Sequence, residues 1–351
     1  MEQDGGGPIP SASLGPGAVP ADELPALWRQ SISPFFDAQP IAKPTHLQTL
    51  PDIREFHLEK MLFVDSAFPG HIFTRDKAWM QTHDDADHLL LQLFVTGESV
   101  ASNGWHEYVE RPGNIFAMNL AYEVRAQSTD ARVMTLVLPR GLVAEELPHL
   151  AAARGALFAP GSAGARIFVD HMLSLGRSLP QGRSSEIPGI VRSTIGLLDA
   201  LAVHKDGPSS LVHDATFQAA CRHIDRHIDD PGLGVKLLCT YLHCSRATLF
   251  RLFKPHGGVR EYIQRRRLIA CFKALNAAKN QHRRIIDVAL DFGFTSPSHF
   301  SHLFREHFGM APRDARETQL DRVLGASPAA DDGTANDDAQ RMWLWAKTLT
   351  G

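Results

Sequence analysis

Arg246 and Arg251 have side chains suited to recognition, because a guanidinium presents paired N–H donors that match the acceptor edge of a guanine or the oxygens of a phosphate. The stretch Lys236 to Phe253 (KLLCTYLHCSRATLFRLF) supplies their frame. Leu237, Leu238, Tyr241 and Leu242 recur as the inner stripe of one helix, His243 and Cys244 break it, and Ser245 can cap a second helix by accepting a backbone N–H. In that second helix Leu249, Leu252 and Phe253 point inward. Its outer face then carries Arg246, Ala247, Phe250 and Arg251, with Lys254 beyond. An exposed helix with arginines near its amino end, braced by a crossing helix, is the arrangement that reads a major groove.

The stretch Ile285 to Phe308 (IIDVALDFGFTSPSHFSHLFREHF) repeats this logic. Ile286, Val288, Ala289 and Leu290 belong to a first helix, Gly293 supplies a tight turn, and Ser296-Pro297 opens a second helix where the missing proline N–H costs nothing. Phe300, Leu303, Phe304 and Phe308 form its core stripe, so Ser298, His299, Ser301, His302 and Arg305 face out. Between the two stretches, Tyr262 to Leu275 reads as one helix carrying Arg265, Arg266 and Arg267. Phosphate contact, a solvated face and internal salt bridges all fit that arginine run.

Other reactive side chains form no recognisable centre. The four cysteines all lie between Cys221 and Cys271 without a CxxC pair, and His243-Cys244 alone does not make a zinc site. His71, His83, His88 and His106 suggest a metal-binding cupin, but no HxH occurs to gather ligands. GxSxG, Walker-type and HExxH motifs are also absent. The expectation is a chain with no catalytic residues, no metal and no cofactor.

The elements that must position the exposed residues follow from periodicity. From Arg54 to Arg140, β-rich runs such as Leu89 to Val95 and the alternating Val133, Thr135 and Val137 are separated by the turn signals Pro69-Gly70, Asn103-Gly104 and Pro112-Gly113. Short strands with such turns predict a sandwich or small barrel. After Pro139 the period moves toward that of a helix. Ile167, Phe168, His171, Met172, Leu175 and Leu179 mark one face, and Ile187, Ile190, Val191, Thr194, Ile195, Leu198 and Leu201 a second. The latter stripe fits packing on the chain's own barrel and a partner helix across a dimer equally well.

Length and charge set the remaining bounds. The 351 residues are 44% hydrophobic, enough for two domains. The longest apolar run, about eight residues, is too short for a membrane helix, and the acid-, glycine- and proline-rich amino terminus is not a signal peptide. A cytoplasmic protein with no membrane partner is expected. The formal net charge of −3 conceals an asymmetry: residues 215–318 hold 17 Lys+Arg against 9 Asp+Glu, and the remainder 19 against 30. A basic helical segment beside an acidic remainder is the layout of a chain that brings one half to a polyanion.

The run IDVALDFGFTSPSHFSHLFREHFGMAPRDAR, preceded by RRLIACFKAL and SRATLFRLFK, strongly resembles the DNA-binding domain of the AraC/XylS family of transcription regulators over Cys221 to Arg316. The resemblance implies two helix-turn-helix units joined by a linker helix, with recognition helices in successive major grooves of double-stranded promoter or operator DNA. Carried over by position, the contacts fall on Arg246, Ala247, Phe250 and Arg251, and on Ser298, His299, Ser301 and His302. Phe250 and Ala247 offer only apolar contact, and His302 stands where the family often has a basic residue, so the second unit is expected to position the protein on phosphates more than it reads bases. Cys239, Cys244 and Cys271 occupy positions where the family places small buried apolar residues.

The amino-terminal half more loosely resembles the sensing domain of the XylS-like branch, through the Gly97 region, the RPGNIF turn at Arg111 to Phe116 and the segment Val133 to Val143. The implied fold is multidomain α+β: a cupin-like β jelly roll with following helices, then an all-α domain with two helix-turn-helix units. The expected division is a disordered leader at 1–20, an effector-sensing and dimerisation domain at 21–203, a linker at 204–214, the DNA-binding domain at 215–318 and an acidic tail at 319–351. That tail is expected to be a disordered tether with a short terminal helix. A small organic effector, RNA polymerase for an activator, and a homodimer are the implied partners. Trp79, Trp105, His106 and Tyr108 are candidates for the effector pocket, whose residues the sequence leaves unassigned. The alternatives are a cupin-type small-molecule enzyme fused to a DNA-targeting domain, a constitutive DNA-binding protein with an empty barrel, and a methyl-transfer repair protein, for which the amino-terminal half lacks the reactive cysteines.

Overall fold

Alternating side chains along short segments build two antiparallel sheets in the amino-terminal part of the chain. A computed structural model describes residues 6–41, 49–76, 78–80, 88–103, 107–147, 150, 155–158, 161–202, 211–254, 257–277, 280, 282–317 and 335–349. The chain divides into two units, Met1–Gly207 with Ser327–Gly351, and Pro208–Ala326. In the first, the strands are β1 (Ser11–Leu14), β2 (Asp37–Pro40), β3 (Asp52–His57), β4 (Leu62–Phe68), β5 (His71–Arg75), β6 (Leu89–Thr96), β7 (Ser99–Ser102), β8 (Glu107–Glu110), β9 (Ile115–Asn119), β10 (Val124–Ser128), β11 (Ala131–Leu138) and β12 (Gly155–Phe158). Among the described residues they form a seven-stranded sheet, β1-β3-β4-β11-β6-β9-β12, and a five-stranded sheet, β2-β5-β10-β7-β8. Its helices are α1 (Leu24–Ile32), α2 (Arg140–Glu146), α3 (Ala163–Ser178) and α4 (Ile187–Ala202).

The larger sheet is buried on both faces. Ile53, Leu90, Phe94, Val133 and Val137 face the space between the sheets, whereas Phe56, Phe63, Leu91, Leu93, Met134 and Leu136 join Phe168, Met172, Leu175 and Leu198 of α3 and α4 in a second core. Burial on both faces explains why β6, LLLQLFVT, reads as an almost unbroken apolar run. Ile187, Val191, Leu198 and Leu201 of α4 belong to that core, so its stripe packs on the chain's own barrel. The turns at Pro69-Gly70 and Pro112-Gly113 join the strands as expected, while Gly104 lies outside the described residues. Gly97 is required where it stands: its φ is +78°, and a Cβ there would run into the Asp130 carbonyl.

The structure corrects the sequence expectation at both ends. In the leader, β1 pairs with β3 from Ser11 opposite Phe56 to Leu14 opposite Ile53. Ile9, Ala12 and Leu14 are buried, so a few apolar side chains among the prolines and glycines suffice to add an edge strand. In the tail, residues 318–334 lie outside the described residues, and Ala335–Thr348 form the expected terminal helix, which packs on α1 and β1. Ala339, Met342, Trp345 and Ala346 recur at helical spacing and are buried. The His88 ring also bonds the Ala346 carbonyl at 2.8 Å. This segment is part of the first unit rather than a free tether.

The second unit is helical: α5 (Leu211–Arg226), α6 (Val235–Tyr241), α7 (Arg246–Phe253), α8 (Val259–Asn276), α9 (Ile285–Asp291), α10 (Pro297–Phe308) and α11 (Pro312–Glu317), with the tail helix Ala335–Thr348 as α12. The expected linker at 204–214 lies outside the described residues as far as 210, and 211–214 begin α5. No helix among the described residues is long and apolar enough to cross a membrane.

Candidate nucleic-acid interface

The sequence places a capped helix after each short break, and the structure builds both. Ser245 accepts the Thr248 backbone N–H at 3.1 Å to start α7. His243 takes a left-handed φ of +49° in the break, which lets the chain turn sharply between α6 and α7. Leu238, Leu249 and Phe253 are buried, and Phe253 packs edge-on against Phe217 of α5 and Tyr262 of α8. Held this way, α7 exposes Arg246, Ala247, Phe250 and Arg251, with Phe250 47% exposed. Tyr241 is an exception to the inner stripe expected of α6: it is half exposed and stacks on His223 at 3.9 Å.

The second capped helix is fixed by aromatic packing and ion pairs. Ser296 accepts the His299 N–H at 3.3 Å, and Gly309 ends α10 in a left-handed conformation, its N–H bonding the Arg305 carbonyl at 2.8 Å. Phe300, Phe304 and Phe308 are buried, and Phe308 lies 4.8 Å from the Phe272 ring of α8. Gly293 turns the chain at a φ of +80°, where a Cβ would press on the Arg267 guanidinium. Arg283 pairs with Asp291 at 2.7 Å and Arg284 with Asp287 at 2.9 Å, bracing α9. Ser298, His299 and His302 are exposed and Ser301 half-buried. A carboxylate sits beside this face, with Glu306 3.9 Å from His302. Leu290, in the first helix of this unit, is 46% exposed.

The arginine run of α8 pairs inside the unit. Arg266 binds Asp225 of α5 at 2.8 Å, Arg267 donates to the Asp230 carbonyl at 2.8 Å, and Arg265 lies 3.7 Å from Glu261. Internal pairing therefore accounts for Arg265 and Arg266, while Arg267 also lines a cleft. Cys221 and Cys271 are buried and Cys239 and Cys244 partly so. Burial pushes the Cys271 and Cys244 thiols up, away from the reactive thiolate.

Between the two capped helices lies a cleft of about 560 Å³. Lys236, Arg246, Arg260 and Arg267 line it together with Thr295, Ser296 and His299, and among the described residues no carboxylate does. Cations and hydroxyls in a concave wall form a cradle for phosphate oxygens. Arg246 and His299 are legible from sequence as outer-face residues of capped helices, whereas Lys236 and Arg260 sit at the starts of α6 and α8 and look like ordinary solvated residues until the helices converge.

In the first unit, a cavity of about 90 Å³ lies between the two sheets. Trp79 and Tyr108 do not line it; Tyr108 instead packs on Phe116 with ring centroids 4.8 Å apart. Trp105 and His106, like His83, lie outside the described residues. The lining comes from α1, the connection that follows it and strand interiors, including Trp28, Phe35 and Phe73.

Comparison with known proteins agrees with this architecture. A helix-turn-helix domain family matches residues 238–318. The chain is 34% identical over 106 residues to the regulatory protein SoxS of Salmonella typhimurium, covering 30% of this chain and 95% of SoxS. It is 36% identical over 114 residues to the HTH-type transcriptional activator RhaS of Escherichia fergusonii, covering 31% of this chain and 40% of RhaS. The crystal structure of the AraC-like transcriptional activator CuxR superposes with a TM-score of 0.53 at 24% identity, over 74% of this chain and 93% of CuxR. That likeness extends the shared fold across both units.

Proposed function

The chain belongs to the AraC/XylS family and is a DNA-binding transcription regulator, and on that premise we propose how it engages its target. Arg246, Ala247, Phe250 and Arg251 of α7 enter one major groove, and Ser298, His299, Ser301 and His302 of α10 enter the next. The observation that carries this assignment is the basic cleft between the two capped helices, lined by no carboxylate among the described residues, which suits the phosphates that run between two grooves. Arg246 and Arg251 supply bidentate base contacts, Phe250 and Ala247 meet a thymine methyl, and Lys236 and Arg260 hold phosphates. His302, shared with Glu306, contributes position more than sequence discrimination.

The first unit senses a small organic effector in the cavity between its sheets. The effector acts through different affinities for DNA-competent and DNA-incompetent arrangements of the protein. By analogy with RhaS, named as an activator, the protein activates transcription and recruits RNA polymerase. It works without catalysis, in the cytoplasm, as a homodimer joined through the α3–α4 pair, where Ile167 stays 53% exposed. A gel shift with footprinting on the DNA upstream of its own gene tests the DNA-binding assignment: protection of adjacent major grooves is expected, and its absence refutes it.

A further inference from the structure

The space between the two sheets is apolar, yet a strand from each sheet turns one carboxyl into it. Glu55 of β3 is 4% exposed and Glu110 of β8 is 2% exposed. Both line the cavity, and no lysine, arginine or histidine does so among the described residues. The Oε1 atom of each carboxyl lacks a hydrogen-bond partner, although Glu110 also bonds the Ser99 side chain. Desolvation holds the Glu55 carboxyl well above its ordinary range and pushes Glu110 up to about 8. An unpaired buried carboxyl is strongly unfavourable, and an apolar side chain of similar size would avoid the penalty. The position makes physical sense if something that enters the cavity supplies donors.

We propose that this cavity receives a small organic cation, a short-chain alkylammonium, with its N–H donors on Glu55 and Glu110 and its alkyl part against Trp28, Phe35 and Phe73. The proposal deepens the effector reading above and rests on it. A carboxylate effector would be buried with no cation in the described lining to neutralise it, and a neutral alcohol has one donor for two acceptors. The volume of about 90 Å³ is below the ~150 Å³ that holds benzene, so the alkyl part has only a few carbons. On binding, a protonated glutamic acid gives its proton to solvent and becomes the carboxylate partner of the ammonium, which stays protonated. Occupancy bears directly on α1, which supplies Trp28, Ser31 and Ile32 to the lining and packs against α12.

The test uses the full-length protein with n-butylammonium chloride, and with sodium butyrate and 1-butanol as charge-reversed and neutral counterparts. Thermal shift and calorimetry in buffers of different ionisation enthalpy should show butylammonium binding, raised Tm and proton release, with neither counterpart binding comparably. Glu55→Gln and Glu110→Gln should each weaken that binding about tenfold or more. Equal binding by butyrate or butanol, no binding of butylammonium, or unchanged affinity in both variants overturns the proposal. Proton release by the wild-type protein is decisive should either variant fold poorly. DNA footprints taken alongside separate the two levels: if butyrate binds and changes the footprint, effector control stands and the cation assignment falls.

Discussion

Arg251 stands on an exposed helix face and Lys236 lines the cleft, so the proposed DNA contacts give them different halves of the recognition chemistry. Arg251→Ala should weaken specific DNA binding by about 1–3 kcal/mol and relax the preference at one base position. Lys236→Ala should weaken binding to all sequences alike and lower the salt slope by about one. Competition gel shifts with specific and unrelated duplexes separate these outcomes. Glu110 makes a second prediction, on stability. Its folded-state pKa of about 8 exceeds the ordinary 4.5, so the folded chain holds this proton more tightly than the unfolded chain does. Its contribution to stability is fully present below about pH 4.5 and is lost as the pH rises through about 8. Glu55, the other titratable group lining the cavity among the described residues, acts in the same direction. Glu110→Gln should therefore gain Tm relative to the parent as pH rises from 4.5 to about 8, and an unchanged difference would contradict the assignment. The arginines were legible because a guanidinium on the outer face of a capped helix has few other uses. The two carboxyls were not, because a lone glutamate in a strand reads as a solvated residue; only the alternation of Ile53, Glu55 and His57 on one face hinted otherwise.

Among the elements, the two recognition helices depend on their serine caps. Ser245→Ala and Ser296→Ala should each cost about 1 kcal/mol of stability and fray the first turn that carries the contacts, measurable by denaturant melts together with a loss of DNA affinity. These helices were legible in advance because Ser, Gly and Phe recur at the spacings that a break, a cap and a core stripe require. Strand β1 and the docking of helix α12 were obscured. Their composition is that of flexible chain, proline and glycine in one and acidic residues in the other, and their partners are distant in sequence. Ser11 opposite Phe56 and Trp345 beside His57 are contacts that no local pattern reveals. Trp345 is 1% exposed, so Trp345→Ala should destabilise the first unit by about 3–5 kcal/mol, lowering its melting transition. A truncation before residue 335 that left this transition untouched would show that α12 contributes nothing to the unit.

Across the whole molecule the charge is divided by function. The net −3 resolves into 17 basic against 9 acidic residues over 215–318 and an acidic remainder, with lysine and arginines gathered in a cleft that no carboxylate lines among the described residues. DNA affinity should therefore fall steeply with salt, log K declining linearly with log salt in proportion to the phosphates neutralised. The chain also leaves the first unit after α4 and returns to it at α12, so the helical unit is joined to the first unit at both of its ends. That return was hidden from sequence because its meaning lies in where α12 packs. The most direct measurement is a footprint of the full-length protein on its own upstream DNA. Protection of successive major grooves on one face of the duplex, about one turn or ~34 Å apart, is the predicted result; protection of a single groove, or none that survives competitor DNA, would contradict the account.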